Sequence, residues 1–452
     1  MKKTNLKTFA IMTALSCTSL SAALADEYEA TAHKTTESQN SASFRQSDLH
    51  LYISGYVKFL AGAYDSKYVK ENNREFLTAS EIHLDAVREA ANGVEYRAFI
   101  QLQTSTDDRL NADKVHMSVK TRCGLFDVGD NDGASDLLSY YAPNLGFGQA
   151  VDGFGQSVDA DYTSFVDGAS AAQIGPKALD TEAATKITYL SPRFYGLRVG
   201  ISYAPEFDKG EHIIRTKKDD LSAAAPGPSQ NPQALNRALI DYVQPNRDSN
   251  RIAANDNFTR GDPESFFSES FRDIIEVGAN YNREINGVWY KFSGGYVHGE
   301  HKKPTTAADD RRDINVWSVG TEINFNKNFR IGGSYVDNGH SGQLKSFHGQ
   351  DRKAFNFGAV YESGPWGVSG NFITEDLGGA NTHGSGKYHA IGLGTTYQLA
   401  PGIMVGSDLV FYERKFGRDP LNPSKSIAPS GLPADKLKDK GYVWLVGTEL
   451  DF

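Results

Sequence analysis

Cysteine, tryptophan and methionine are scarce in these 452 residues, at two, four and four copies, and mean hydropathy is −0.47. Beyond the N-terminus there is no apolar run of about 18 residues, which excludes membrane-spanning helices. Cations are outnumbered, with 47 Lys and Arg against 56 Asp and Glu, and they are scattered. That balance repels phosphate backbones and argues against a nucleic-acid partner. Aromatic residues are not lacking: 25 Phe and 22 Tyr, with 44 Gly, recur in regular blocks, which excludes a disordered chain.

The first 25 residues read as a cleaved export signal, with Lys2, Lys3 and Lys7 ahead of an apolar stretch from Phe9 to Leu20 and the small-x-small triplet Ala23-Leu24-Ala25. A lipid-modified Cys17 is the competing reading, but Ala14 stands where a leucine is expected. Cleavage after Ala25 removes three lysines and takes the formal charge from −9 to −12. Cys123 is then the sole cysteine, so no internal disulfide closes the fold. Residues 26–50 lack periodicity and read as a flexible periplasmic segment, leaving 51–452 for one folded unit.

From Leu51 onward the chain alternates with a period of two. Leu51, Ile53, Val57, Phe59, Ala61 and Ala63 share one face, and Ser54 and Lys58 lie on the other. Sixteen such segments are expected, at 51–64, 76–88, 94–104, 113–121, 125–130, 184–190, 196–204, 274–282, 288–299, 313–325, 329–338, 353–363, 366–374, 387–399, 403–414 and 441–452. A ten-residue strand rising about 3.3 Å per residue and tilted about 40° spans roughly 25 Å, the height of a transmembrane barrel's apolar band. Brief turns such as 90–93, 326–328, 364–365 and 400–402 alternate with long polar insertions, of which 131–183 and 205–273 are the longest. A barrel with one end in the periplasm and the other facing the medium requires that alternation.

The faces have the matching polarity. Ile187, Tyr189, Leu197, Val199, Ile201, Tyr203, Val277, Tyr281, Phe292, Phe355, Phe357, Ile391 and Leu393 are expected outside. Arg97, Gln101, Lys186, Arg198, Glu276, Asn280, Lys291, Ser293, Arg330, Ser334, Asn356 and Glu362 are expected inside. Sixteen strands enclose more volume than side chains fill, so the polar face lines water. Tyr52, Tyr64, Tyr442 and Trp444 suit interfacial aromatic girdles. The fold class expected is therefore all-β, a transmembrane antiparallel barrel.

Three segments resemble the Gram-negative general porin family: ATKITYLSPRFYGLRVGISYAPE at 184–206, GVEYRAFIQLQ at 93–103, and the ending GYVWLVGTELDF with its C-terminal Phe452. The resemblance implies a homotrimeric outer-membrane channel for passive diffusion of ions and small hydrophilic solutes, narrowed by a third loop folded into the lumen, here 131–183. It also implies that barrel-assembly machinery reads Phe452, with outer-membrane lipid and lipopolysaccharide as surroundings. The family's Pro-Glu-Phe-Gly-Gly loop signature is replaced by the tandem heptads Gly146–Asp152 and Gly153–Asp159. On this reading the constriction sets wall bases Lys58, Arg97 and Lys120, with His83 and His116, against loop acids Asp152, Asp159 and Asp161.

Other chemistry is weakly marked. The Gly-Phe-Gly-Gln repeats lack the βαβ setting of a phosphate loop, and Asp130-Asn131-Asp132-Gly133 lacks the distal ligands of a calcium loop. His298 and His301 are wrongly spaced for one face of a strand, so no metal is expected. His83, Asp85, His116 and Ser118 carry no mark of an activated nucleophile, so neither catalysis nor a cofactor is expected. The rival readings are a solute-specific porin and a surface adhesin or structural barrel acting through its external loops. The 205–273 insertion, with a possible helix at Ala234–Tyr242, would serve the last.

Overall fold

The computed structural model describes residues 42–46, 49–66, 74–105, 111–145, 181, 184–206, 271–302, 310–326, 328–342, 345, 351–377, 386–415 and 438–452. The strands are β1 (Ala42–Gln46), β2 (Leu49–Ser66), β3 (Arg74–Glu89), β4 (Glu95–Ser105), β5 (Asn111–Thr121), β6 (Gly124–Asp130), β7 (Thr185–Leu190), β8 (Leu197–Glu206) and β9 (Phe271–Ile285). They continue with β10 (Val288–His301), β11 (Ile314–Phe325), β12 (Phe329–Gly339), β13 (Arg352–Ser363), β14 (Trp366–Leu377), β15 (Gly386–Ala400), β16 (Ile403–Lys415) and β17 (Lys438–Asp451). One helical turn, α1 (Ala134–Leu137), follows β6.

Each strand from β2 to β17 pairs antiparallel with the next, and β17 pairs with β2, closing a sixteen-strand barrel. Closure satisfies every edge, a condition for strands in lipid. The sixteen expected segments coincide with these strands. Several run further than the apolar alternation, because ladder pairing continues into polar residues past the apolar band. Two-residue turns take the left-handed backbone that hairpins require, as at Asn286-Gly287 (φ 54° and 81°) and Tyr195-Gly196 (φ 48° and 91°).

The extra strand, β1, lies inside the 26–50 segment that the sequence left without structure. It pairs with Leu49–Ile53 of β2. β17 ends against Gly55 and Tyr56 of the same strand edge, so β1 takes up the line of β17 where that strand stops.

The exterior is apolar: Ile187, Val199, Ile201, Phe357, Ile391, Leu393 and Trp444 are exposed. In water such a belt would cost about 25 cal/mol per Å² of apolar surface, so lipid is the solvent it matches. Aromatic pairs mark its two margins, Trp366 with Tyr397 (centroids 4.6 Å) on one and Trp317 with Tyr335 (5.2 Å) on the other. Tyr442 and Trp444 belong to this exterior. Tyr52 does not: it pairs in register with Asp85 on the side of Lys58, because it is an even-numbered residue in a strand whose apolar face is odd. Among the described residues the largest apolar cluster inside is Ala204, Phe271, Ile274, Val297, Ile314, Val316 and Val336 on the inward face of β8–β12, with a smaller one around Leu60.

Candidate functional site: the inner wall and its inserted segment

After β6 the chain turns into the barrel and follows the inner wall. The Ala134 amide donates to Ser202 Oγ of β8 (2.7 Å) and Ser135 Oγ to Glu276 Oε2 of β9 (2.7 Å). The Tyr140 amide donates to Ser293 Oγ of β10 (2.8 Å), and Ser369 Oγ of β14 donates to the Leu145 carbonyl (3.3 Å). Residues 134–145 thus cross the wall from β8 to β14. Small wall residues permit so close an approach. A β-carbon on Gly278 or Gly320 would overlap the carbonyl oxygens of Ala134 and Tyr140, and one on Gly358 would stand 2.6 Å from that of Pro143. Backbone lies on backbone here, as only glycine allows.

The expected inward course of the third loop therefore holds for its first limb, residues 131–145, and for Thr181 at its far end. The heptad repeats, with Asp152, Asp159 and Asp161, lie outside the described residues, as do residues 207–270 of the long insertion and the helix expected within it.

All five expected wall bases lie on the inward side of β2–β5. Lys58 is nearly buried, 5.8 Å from the Tyr56 ring centroid and opposite Glu449 in register. Arg97 Nε donates to Asp85 Oδ1 at 2.7 Å, and its guanidinium stands 5.2 Å from the Phe99 centroid. His83 contacts Glu81, and His116 Nδ1 lies 2.8 Å from Asp127 Oδ2. Lys120 Nζ is 3.8 Å from Glu95 Oε2. The Phe99 ring sits between the two imidazoles, with centroids 5.4 Å from His83 and 5.0 Å from His116.

Sequence reasoning expected these bases on the wall without pairing them with their carboxylates, which are Asp85, Asp127 and Glu95 on adjacent strands and Glu81 on β3 beside His83. Arg97 with Asp85 and Lys120 with Glu95 are lateral ion pairs, so the wall is no bare basic stripe and the field it sends across the lumen is weaker than bases alone would give. Lys291 with Glu322 (3.0 Å) and Arg330 with Glu362 (2.7 Å) extend the pattern to β10–β13. The signal that could have found the pairs was the cross-strand register, which needs turn positions known to the residue.

The remaining candidates are engaged locally. Asp132 accepts from Lys114 Nζ (2.6 Å) and Asp130 from Thr185, so both brace the entry of the inserted segment. His298 bonds Asn315 (2.9 Å), while His301 packs on Phe271 (5.4 Å). Among the described residues no group of three His, Cys, Asp or Glu is placed to hold a metal. Ser118 is buried on the inward face of β5, in register with Arg97 and Asp127.

Comparison with known proteins agrees with this architecture. An uncharacterized protein of Rickettsia conorii is 24% identical over 92% of this chain and 94% of its own length. One of Rickettsia prowazekii is 22% identical over 96% and 97%. Among solved structures, the trimer form of Vibrio cholerae OmpT, an outer membrane protein, superposes with a TM-score of 0.51 at 11% identity, covering 89% of this chain and 99% of that one. An anion-selective porin from Comamonas acidovorans covers 89% of this chain and 100% of its own, with a TM-score of 0.48 at 13% identity. The family model of the Gram-negative porins matches residues 12–417, and the chain belongs to that family.

Proposed function

We propose that this protein is an outer-membrane porin forming a water-filled channel, through which ions and small hydrophilic solutes diffuse passively and no chemistry is catalysed. The observation that carries the reading is the inward segment 134–145, seated across the polar wall from β8 to β14 while the exterior stays apolar. A barrel of sixteen strands is wider than its own side chains can fill, so a chain segment on the wall narrows the passage. The charged, laterally paired wall of β2–β5 offers hydration partners to solutes passing on the other side.

Export through a signal cleaved after Ala25, residence in the outer membrane beside lipopolysaccharide, insertion by barrel-assembly machinery and a homotrimeric state complete the proposal. Family membership supports all four. Planar-bilayer recording of the purified protein tests the central claim: discrete ion steps are expected. A barrel that inserts and passes no current would favour an adhesive or structural role for the external loops.

A further inference from the structure

We propose that Glu276 is a positioning residue that closes the neck of the inserted segment and thereby sets how firmly the narrow part of the passage is held. The inference rests on the channel reading above.

Glu276 lies on the inward face of β9 and is fully buried. Its two oxygens serve different stretches of chain. Oε2 accepts from Ser135 Oγ at 2.7 Å, at the start of the segment. Oε1 accepts from the Thr181 amide at 2.9 Å and from the Thr181 hydroxyl, at its end. Ser135 and Thr181, 46 positions apart in sequence, thus meet at one carboxylate. Gly133 completes the fit, since a β-carbon there would overlap the carboxylate itself.

Ser202, Ser293 and Ser369 each hold the outgoing limb, residues 134–145. Glu276 bonds both limbs, Ser135 on the outgoing one and Thr181 on the returning one. Ties from one side chain to Ser135 and to Thr181 fix both ends of the segment to the same point of the wall. Removing the carboxylate should free the returning limb, while the barrel ladder, made by backbone, stays closed. A glutamine keeps the size of the side chain. Its carbonyl can accept both Thr181 donors, and its amide can donate to Ser135 Oγ, whose hydroxyl rotates.

Single-channel recording of the full-length protein tests the proposal with Glu276→Ala, Glu276→Gln, Ser135→Ala and Thr181→Val. Glu276→Ala is expected to raise conductance and open-channel current noise several-fold with the heat-modifiable barrel intact. Glu276→Gln should stay near wild type, and the other two should be intermediate. A quiet Glu276→Ala channel of wild-type conductance overturns the proposal. So does a Glu276→Gln channel as noisy as Glu276→Ala, which would assign the effect to charge. If Glu276→Ala fails to assemble, Ser135→Ala and Thr181→Val decide: noise in either supports the neck, and wild-type traces in both refute it. Should the wild type itself pass no current, the channel reading fails. Limited proteolysis then judges the neck alone, with faster cleavage within 136–180 expected in Glu276→Ala and equal rates refuting it.

Discussion

Phe452 and Gly55 exchange both backbone hydrogen bonds, Phe452 N to Gly55 O at 3.0 Å and Gly55 N to Phe452 O at 2.9 Å, so the last residue of the chain zips into the first barrel strand. The pair stands at the seam where the barrel closes, and β1 takes over the same edge two residues further on.

Deleting Phe452 removes those two bonds, worth about 0.5–1.5 kcal/mol each. A loss that small would leave most of a closed barrel folded. If Phe452 is also an assembly signal, the defect should be far larger, with protease-sensitive material accumulating in the periplasm. Heat-modifiability of the outer-membrane fraction measures the difference. A deletion variant assembled at wild-type level would remove Phe452 from the assembly role.

Orientation follows from the short turns. Cys123 lies in the turn between β5 and β6, its carbonyl accepting from Tyr189 OH at 2.6 Å. It should be shielded from a bulky, membrane-impermeant maleimide on whole cells. In the same assay, cysteines placed at Ser229 or Ser430 should label, and one placed at Asn328 should not. Labelling of Cys123 without labelling at Ser229 would invert the barrel.

Gly320 carries the inserted segment directly on its backbone, whereas a β-carbon on Gly370 would meet only Leu393 Cδ2, at 3.8 Å. Gly320→Ala should therefore displace the segment near Tyr140, at a cost of about 1–3 kcal/mol, as overpacking does. Gly370→Ala should be neutral or stabilising by about 0.5–1 kcal/mol, since glycine is unfavourable inside a strand. Denaturation of both variants in detergent checks the contrast, and equal effects would contradict the seating.

Ion selectivity should be mildly cationic, since acids exceed bases in the chain and the wall bases have carboxylate neighbours. Asp85→Asn takes away the carboxylate beside Arg97 and should shift the reversal potential in a KCl gradient toward anions. Asp152→Asn with Asp159→Asn should do the same if the loop acids face the passage. Both shifts should shrink from about 0.1 M to 1 M salt, as the Debye length falls from about 10 Å to 3 Å. A double variant with the wild-type reversal potential at low salt would take Asp152 and Asp159 out of the constriction.

By itself the sequence determined the elements of this protein and their faces. A two-residue period is a local property, so Ile187, Val199 and Ile201 could be placed outside, and Arg198 and Glu276 inside, from neighbouring residues alone. The long-and-short rhythm of the connections was equally legible, and with the final strand it specified the barrel. What only the tertiary structure decided is which residues meet. Arg97 with Asp85, Glu276 with Ser135 and Thr181, and Gly320 beneath Tyr140 depend on register accumulated over several strands and on the path of a segment with no period of its own. A one-residue slip in any ladder would move every such partner, and local alternation is blind to that sum. The same blindness hid β1, which pairs with Leu49–Ile53 of β2 beyond the stretch that β17 occupies.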